Sequence, residues 1–240
     1  MSHSDTAAIV LAAGLGTRMK SKQPKVLHGL AGRAMILHLL DSLAAIKPEK
    51  TVLVLGPDMD AVSKAVSDAG FDVETVIQQD RLGTGHAVQQ AEQALAGFRG
   101  NILVLYGDSP LITSETMTHM LDERASEDDS AVVVLGFRPF EPGAYGRLNL
   151  DDAGSLISIV EARDASEDEL ANDLCNSGFM AIDGSMLSEL TAKLSNDNAK
   201  GEYYLTDLVG LATEAGRNCA FVECDEEETI GINSRSELAE

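Results

Sequence analysis

Ala7-Ala8-Ile9-Val10-Leu11-Ala12-Ala13-Gly14-Leu15-Gly16-Thr17-Arg18-Met19 runs from a short apolar segment straight into a glycine loop that carries a cation. A continuous apolar run of this length, rather than an alternating one, suits a strand buried on both faces, the signature of a parallel sheet. Similar runs recur at 51–55, 102–106 and 131–135. Between them lie segments with helical spacing: Met35, Leu39, Leu40 and Leu43 share one face, Val62, Val66 and Ala69 another, with amphipathic stretches at 84–95 and 114–121. Strand–helix alternation predicts an α/β fold with a Rossmann-like, doubly wound, mostly parallel sheet. After about residue 140 the pattern changes. Segments 146–150 and 155–160, split by Asp151-Asp152-Ala153-Gly154, read as a hairpin. Strands at 178–182 and 220–223 and helices at 185–194 and 206–215 follow. The expectation is one domain over 1–240 with a small antiparallel β insertion at about 140–180. The chain contains no internal repeat of the hexapeptide kind that builds a left-handed β-helix.

The 240 residues carry a formal net charge of −21 with 44% hydrophobic content, so a core can form and wholesale disorder is excluded. Such a field repels nucleic acid and anionic lipid, and neither is expected as a partner. The apolar run at 7–13 is too short for a membrane span and lacks a basic segment ahead of it. Cys175, Cys219 and Cys224 are odd in number and form no CxxC pair, which fits three core thiols in a cytoplasmic protein. Charge is unevenly spread: residues 1–50 hold seven basic and three acidic side chains, the remaining 190 hold 11 and 36. Five acids at 223–228 read as a solvated loop.

The basic excess falls on the glycine loop. Walker A requires Gly-Lys-Ser/Thr, which is absent, and the dinucleotide fingerprint requires a third glycine where Met19 stands. Glycines after a parallel strand let backbone N–H groups approach a phosphate. Arg18, two residues past Gly16, and Lys25, stiffened by Pro24, add the cations that suit a polyphosphate. Asp108 follows the run at 102–106. A carboxylate there suits Mg²⁺ and equally suits capping the turn at Ser109-Pro110. Gln78 has the donor and acceptor for a pyrimidine edge. His86 reads as a helix-face residue rather than a general base.

The loop and Pro24-Lys25-Val26-Leu27 resemble the signature of sugar-nucleotide pyrophosphorylases. Further motifs follow in order: Gln78 with Leu82-Gly83-Thr84-Gly85-His86-Ala87, Tyr106-Gly107-Asp108, Tyr145-Gly146-Arg147, Val160-Glu161, Asn176-Ser177-Gly178, Gly201-Glu202-Tyr203-Tyr204 and Gly231-Ile232-Asn233. Together they are similar to the N-terminal domain of the bifunctional N-acetylglucosamine-1-phosphate uridyltransferase family, over about residues 7–233. The resemblance implies a nucleotide-diphospho-sugar transferase fold and transfer of a uridylyl group from UTP to N-acetylglucosamine 1-phosphate, releasing pyrophosphate. It implies that Leu11, Ala12, Ala13, Gly14, Gly16, Thr17, Gln78, Gly83 and Thr84 hold the nucleotide. Tyr106, Gly146, Glu161 and Asn176 would hold the sugar phosphate, Arg18 and Lys25 would be catalytic, and Asp108 and Asn233 would ligate Mg²⁺. The family's C-terminal β-helix, its acetyltransferase activity and its β-helix trimer are not expected in this chain. The alternatives are another sugar 1-phosphate or TTP as substrate, or a non-catalytic protein that binds nucleotide sugars.

Overall fold

A computed structural model describes residues 5–126 and 128–239. The chain alternates β1 (Thr6–Leu11), a short ribbon of β2 (Gly29–Leu30) and β3 (Arg33–Ala34), α1 (Met35–Ile46), β4 (Lys50–Leu55), α2 (Asp60–Asp68), β5 (Glu74–Ile77), α3 (Thr84–Ala91), β6 (Asn101–Tyr106), α4 (Ser114–Arg124) and β7 (Val132–Phe137). It continues with β8 (Arg147–Leu150), β9 (Leu156–Val160), α5 (Glu167–Leu170), β10 (Cys175–Asp183), α6 (Leu187–Thr191), α7 (Asp207–Glu214), β11 (Cys219–Glu223) and α8 (Glu226–Thr229).

The main sheet runs β11-β7-β10-β6-β1-β4-β5, with the β8–β9 hairpin attached through β10. All six residues of β1 are buried, because both faces of the sheet are covered. Ala7, Ile9 and Leu11 face Val88 and Ala91 of α3, Leu190 of α6 and Leu208 of α7. Ala8 and Val10 belong to the opposite layer with Leu39 and Leu43 of α1, Val62 of α2 and Met117 of α4. The expected α/β fold is therefore present, with one refinement: β10 runs antiparallel between β6 and β7. It reaches that slot by returning from the hairpin, whose β8 pairs with its first residue, Cys175.

The order of strands positions the site. From β1 the chain builds outward through β4 and β5 on one side, and through β6 on the other. The crevice at such a reversal is where open α/β sheets take ligands. Leu11 lies in register with Tyr106 across this point, and the Gly107 N–H donates to the Leu11 carbonyl at 2.9 Å. The glycine loop and Asp108 thus emerge side by side.

The acids at 223–228 are more than a solvated loop. Four of them stand in or beside α8, and the Glu228 carboxylate accepts from the Thr113 N–H, the Thr113 hydroxyl and the Thr116 hydroxyl at 2.9, 2.9 and 2.7 Å. It thereby ties the C-terminal segment to the start of α4, where a negative charge is favourable. Cys175 and Cys219 are buried and Cys224 is half-buried, all as free thiols. Burial, then the charge of Glu228, pushes the Cys224 thiol up to about 12. No helix among the described residues is long and apolar enough to cross a membrane.

Candidate functional site

A cleft of about 240 Å³ opens at the switch point, lined by Leu11, Ala12, Ala13 and Gly14 from the β1 loop and by Lys25, Gln78, Gly83, Thr84, Tyr106 and Asp108. At one end Lys25 forms an ion pair with Asp108, and its Nζ donates to Asn233 Oδ1 at 2.8 Å. Three residues far apart in sequence therefore meet on one ammonium. Each is held locally. Lys25 opens a 3-10 turn after Pro24. Gly16, at φ +60, leaves room for it, since a Cβ there would stand 2.7 Å from Lys25 Cβ. The Ile232 N–H donates to the Asp108 carbonyl at 2.9 Å, which brings the C-terminal segment to the β6 loop. Asn233 Nδ2 donates to the Gly231 carbonyl at 2.8 Å, so its Oδ1 is the atom turned to the cation.

Glu237 secures that arrangement. Its Oε2 accepts from the Asn233 and Ser234 N–H groups at 2.6 and 3.1 Å, and its own N–H donates to Ser234 Oγ at 3.2 Å. This is a reciprocal capping box, extended by one amide to Asn233. Burial acts to raise the Glu237 pKa, but the Asn233 amide, the Ser234 side chain and amide, and the charge of Arg18 outweigh it and hold the carboxyl below its usual range.

The far wall is built around Gln78, which is 3% exposed. Its Nε2 donates to the Gly83 carbonyl at 3.0 Å and lies 3.1 Å from His86 Nδ1. His86, in the first turn of α3, thus stands beside the Gln78 amide. Gly83, at φ +110, is required by the close approach of residues 202–203, for a Cβ would stand 2.6 Å from the Tyr203 carbonyl. Tyr203 N–H donates to the Leu82 carbonyl at 2.7 Å, and the Leu205 N–H donates to Thr84 Oγ1 at 3.1 Å. The motif at 201–204 thus serves as a brace for the 82–85 loop.

Tyr106 faces the other way as well. A Cβ on Gly178, at φ +95, would stand 2.9 Å from its ring. The Asn176 N–H donates to the Gly146 carbonyl at 2.9 Å, placing those two residues together beside the hairpin. Burial, then the charges of Asp108 and Glu161, drive the Tyr106 phenol well above its usual pKa. Burial, then Glu161 and Asp164, raises Asp207 too. The Glu161 carboxylate thus acts on both Tyr106 and Asp207, while Gly146 and Asn176 are joined directly to each other.

Gly16, Thr17 and Arg18 are not among the residues that line the cleft; Thr17 and Arg18 are exposed in a 3-10 turn that precedes Lys25 in the chain. Arg81, which the sequence did not single out, lines it, and so does Glu202, which was quoted in its motif but given no role in the site. Glu237 was missed too, although Ser234-Arg235-Ser236-Glu237 has capping-box spacing.

Residues 8–171 match the MobA-like NTP transferase domain. The chain is 58% identical over 234 residues to the bifunctional protein GlmU of Rhodospirillum rubrum, covering 98% of this chain and 51% of that protein. It is 57% identical over 239 residues to that of Paramagnetospirillum magneticum (100% and 52%), and 49% identical over 238 residues to that of Novosphingobium aromaticivorans (99% and 52%). The chain thus spans about half the length of these curated relatives. A glycine loop, a lysine and a carboxylate converging at the switch point of a doubly wound sheet fit this match, and the chain belongs to the MobA-like NTP transferase domain family of nucleotidyltransferases.

Proposed function

We propose that the chain transfers a uridylyl group from UTP to N-acetylglucosamine 1-phosphate, giving UDP-N-acetylglucosamine and pyrophosphate. The observation that carries this reading is the convergence of Lys25, Asp108 and Asn233 at one end of a cleft whose other end is Gln78 and the 83–84 loop. Gly14 adds support. It lines the cleft, and a Cβ there would meet no atom beyond its chain neighbours within 4 Å, so its backbone stands open to a ligand. The choice of UTP and of the acetylated sugar rests on the ordered motifs from Gln78 to Asn233.

The attacking atom is a phosphate oxygen of the sugar phosphate. With a second pKa near ~6, that group is largely ionised at neutral pH. It forms a bond to the α-phosphorus as the bond to the β-phosphate oxygen breaks, and pyrophosphate departs with the electron pair. No proton need move, so the step requires no general base. The chain's residues act by positioning and by charge. The Gly14 amide in the cleft and, from the exposed turn outside it, the Thr17 amide and Arg18 would receive the triphosphate where it extends out of the cleft, Lys25 stabilises charge on the reacting phosphoryl group, and Gln78 and the 83–84 loop hold the uracil. Tyr106, Gly146, Glu161 and Asn176 hold the sugar phosphate.

Asp108 and Asn233 are the residues that would hold Mg²⁺. Their oxygens already aim at a single cationic nitrogen, and a carboxylate plus an amide oxygen is a donor set for a hard cation. Among the described residues no group of three or more His, Cys, Asp or Glu is placed to hold a metal; a hard cation held by this pair would take its remaining ligands from phosphate and water. When bound, the ion supplies neutralisation of phosphate charge and a template for in-line displacement.

Pyrophosphate release measured over a panel of nucleotides and sugar 1-phosphates tests the reading. UTP with N-acetylglucosamine 1-phosphate should be the fastest pair, and turnover should require divalent ion. A faster rate with TTP or with another sugar would replace the substrate assignment. Binding of UDP-sugar with no release from any pair would favour the non-catalytic alternative.

Glu237 yields a separate expectation. Loss of a group that orients a metal ligand commonly costs about 10-fold or more in metal affinity. Glu237→Ala should therefore raise the Mg²⁺ concentration for half-maximal rate by on the order of 10-fold, with the KM for UTP little changed. Glu237→Gln keeps an acceptor oxygen and should recover most of the loss. Because the folded carboxyl titrates below its usual range, its hold on the C-terminal turn is complete at neutral pH and is lost as pH falls through the folded value. An unchanged Mg²⁺ requirement in Glu237→Ala would remove Glu237 from this role.

A further inference from the structure

We infer that Arg81 is a further substrate-binding residue, a guanidinium held ready for the phosphate chain of the nucleotide; this rests on the nucleotidyl-transfer reading of the cleft. Arg81 lies in the loop between β5 and α3 and lines the cleft. Its Nε donates to the carbonyl of Ala13, 68 residues away in sequence, at 2.7 Å. That bond draws the side chain from the edge of the sheet back over β4 to the glycine loop of β1. The crossing is possible because Gly56 follows β4. A Cβ on Gly56 would overlap Arg81 Nη2 and stand 3.0 Å from Cζ. A bare backbone under the guanidinium and a carbonyl on its Nε fix both its place and its plane.

What remains unused is the other edge of the fork. Among the described residues no carboxylate forms an ion pair with Arg81, and neither Nη has a hydrogen-bond partner, whereas Arg33, Arg124, Arg138 and Arg217 each pair with an acid. In a chain of net charge −21, a preoriented cation without a carboxylate partner, facing a cleft, is suited to an anionic ligand. The guanidinium is a donor only, permanently charged, and its planar amino groups match phosphate oxygens. The uracil edge is already served by the amide of Gln78 and the backbone of the 83–84 loop, and the α-phosphorus by Lys25. Arg81 therefore acts on ground-state binding of the triphosphate rather than on the chemical step.

Calorimetric titration of UTP, UDP and UMP into the wild-type protein, Arg81→Ala and Arg81→Lys tests this. Arg81→Ala should bind UTP on the order of tenfold to a hundredfold more weakly, the range for a lost charge-assisted hydrogen bond. The loss should shrink from UTP to UMP. In turnover the KM for UTP should rise with kcat near wild type, the pattern of lost uniform binding. Arg81→Lys keeps charge without the fork and should fall between. An equal loss for UTP and UMP would overturn the inference, because it would mean that Arg81 merely holds Ala13 and the nucleoside wall. So would unchanged UTP affinity in Arg81→Ala. Failure of the wild-type protein to bind UTP at all would instead overturn the underlying reading, and this inference with it.

Discussion

Lys25→Ala is expected to lower turnover by at least about 10²–10³, the usual cost of removing one preorganised charge-stabilising group, while the protein stays folded. The ammonium is the only cation in contact with Asp108 and Asn233 among the described residues, and its side chain is 12% exposed. Water cannot readily take its place in stabilising charge at the reacting phosphorus. The same substitution should have an opposite effect on the resting protein. Lys25 uses the very oxygens assigned to the divalent ion, so the two cations compete for Asp108 and Asn233. Without the lysine, the carboxylate is left unpaired in a largely enclosed site, a costly arrangement. Lys25→Ala should therefore bind Mn²⁺ more tightly than wild type in the absence of nucleotide, as read by the spin-resonance signal of the free ion. Its melting temperature should also rise more on adding Mg²⁺. Near-normal turnover would remove Lys25 from the reaction. Unchanged Mn²⁺ affinity would separate the lysine from the metal pair.

Asp108→Ala should cost at least as much turnover, again about 10²–10³, and should abolish the divalent-ion requirement of whatever rate remains. The tether that brings the C-terminal segment to this loop runs from the Ile232 N–H to the Asp108 backbone carbonyl. Any side chain at 108 preserves it, so the loss is chemical rather than architectural, and circular dichroism of the variant should match wild type. Asp108→Asn keeps an oxygen but not the charge and should lie between. A purified Asp108→Ala protein with near-normal Mg²⁺-dependent turnover would sink the metal assignment.

The central strands were legible because they are buried on both faces. β1, β4, β6 and β7 are written as apolar runs, and each run was placed within two residues of the observed strand ends. β5 was not legible. It is the sheet's edge, three of its four residues are exposed, and Glu74-Thr75-Val76-Ile77 carries no continuous apolar run. Nor does composition record strand direction. Residues 178–182 read as a strand, but only the return from the hairpin makes β10 antiparallel between two strands that run the other way.

By itself, then, the sequence determined the layered α/β architecture and the glycine loop with its neighbouring cations. Burial pattern and local backbone chemistry are properties of short stretches, and short stretches are what a sequence displays. Tertiary structure decided which side chains meet. Lys25 reaches Asp108 and Asn233 across 83 and 208 residues, and Arg81 reaches Ala13 across 68. Capping-box spacing marks Glu237 locally but not its hold on the Asn233 amide, and the role of Arg81 comes from the Ala13 carbonyl that the fold sets opposite it. Gly56 was an ordinary glycine until Arg81 lay over it, and Gly16, already marked by the loop, gained a second reason in the Lys25 side chain beside it.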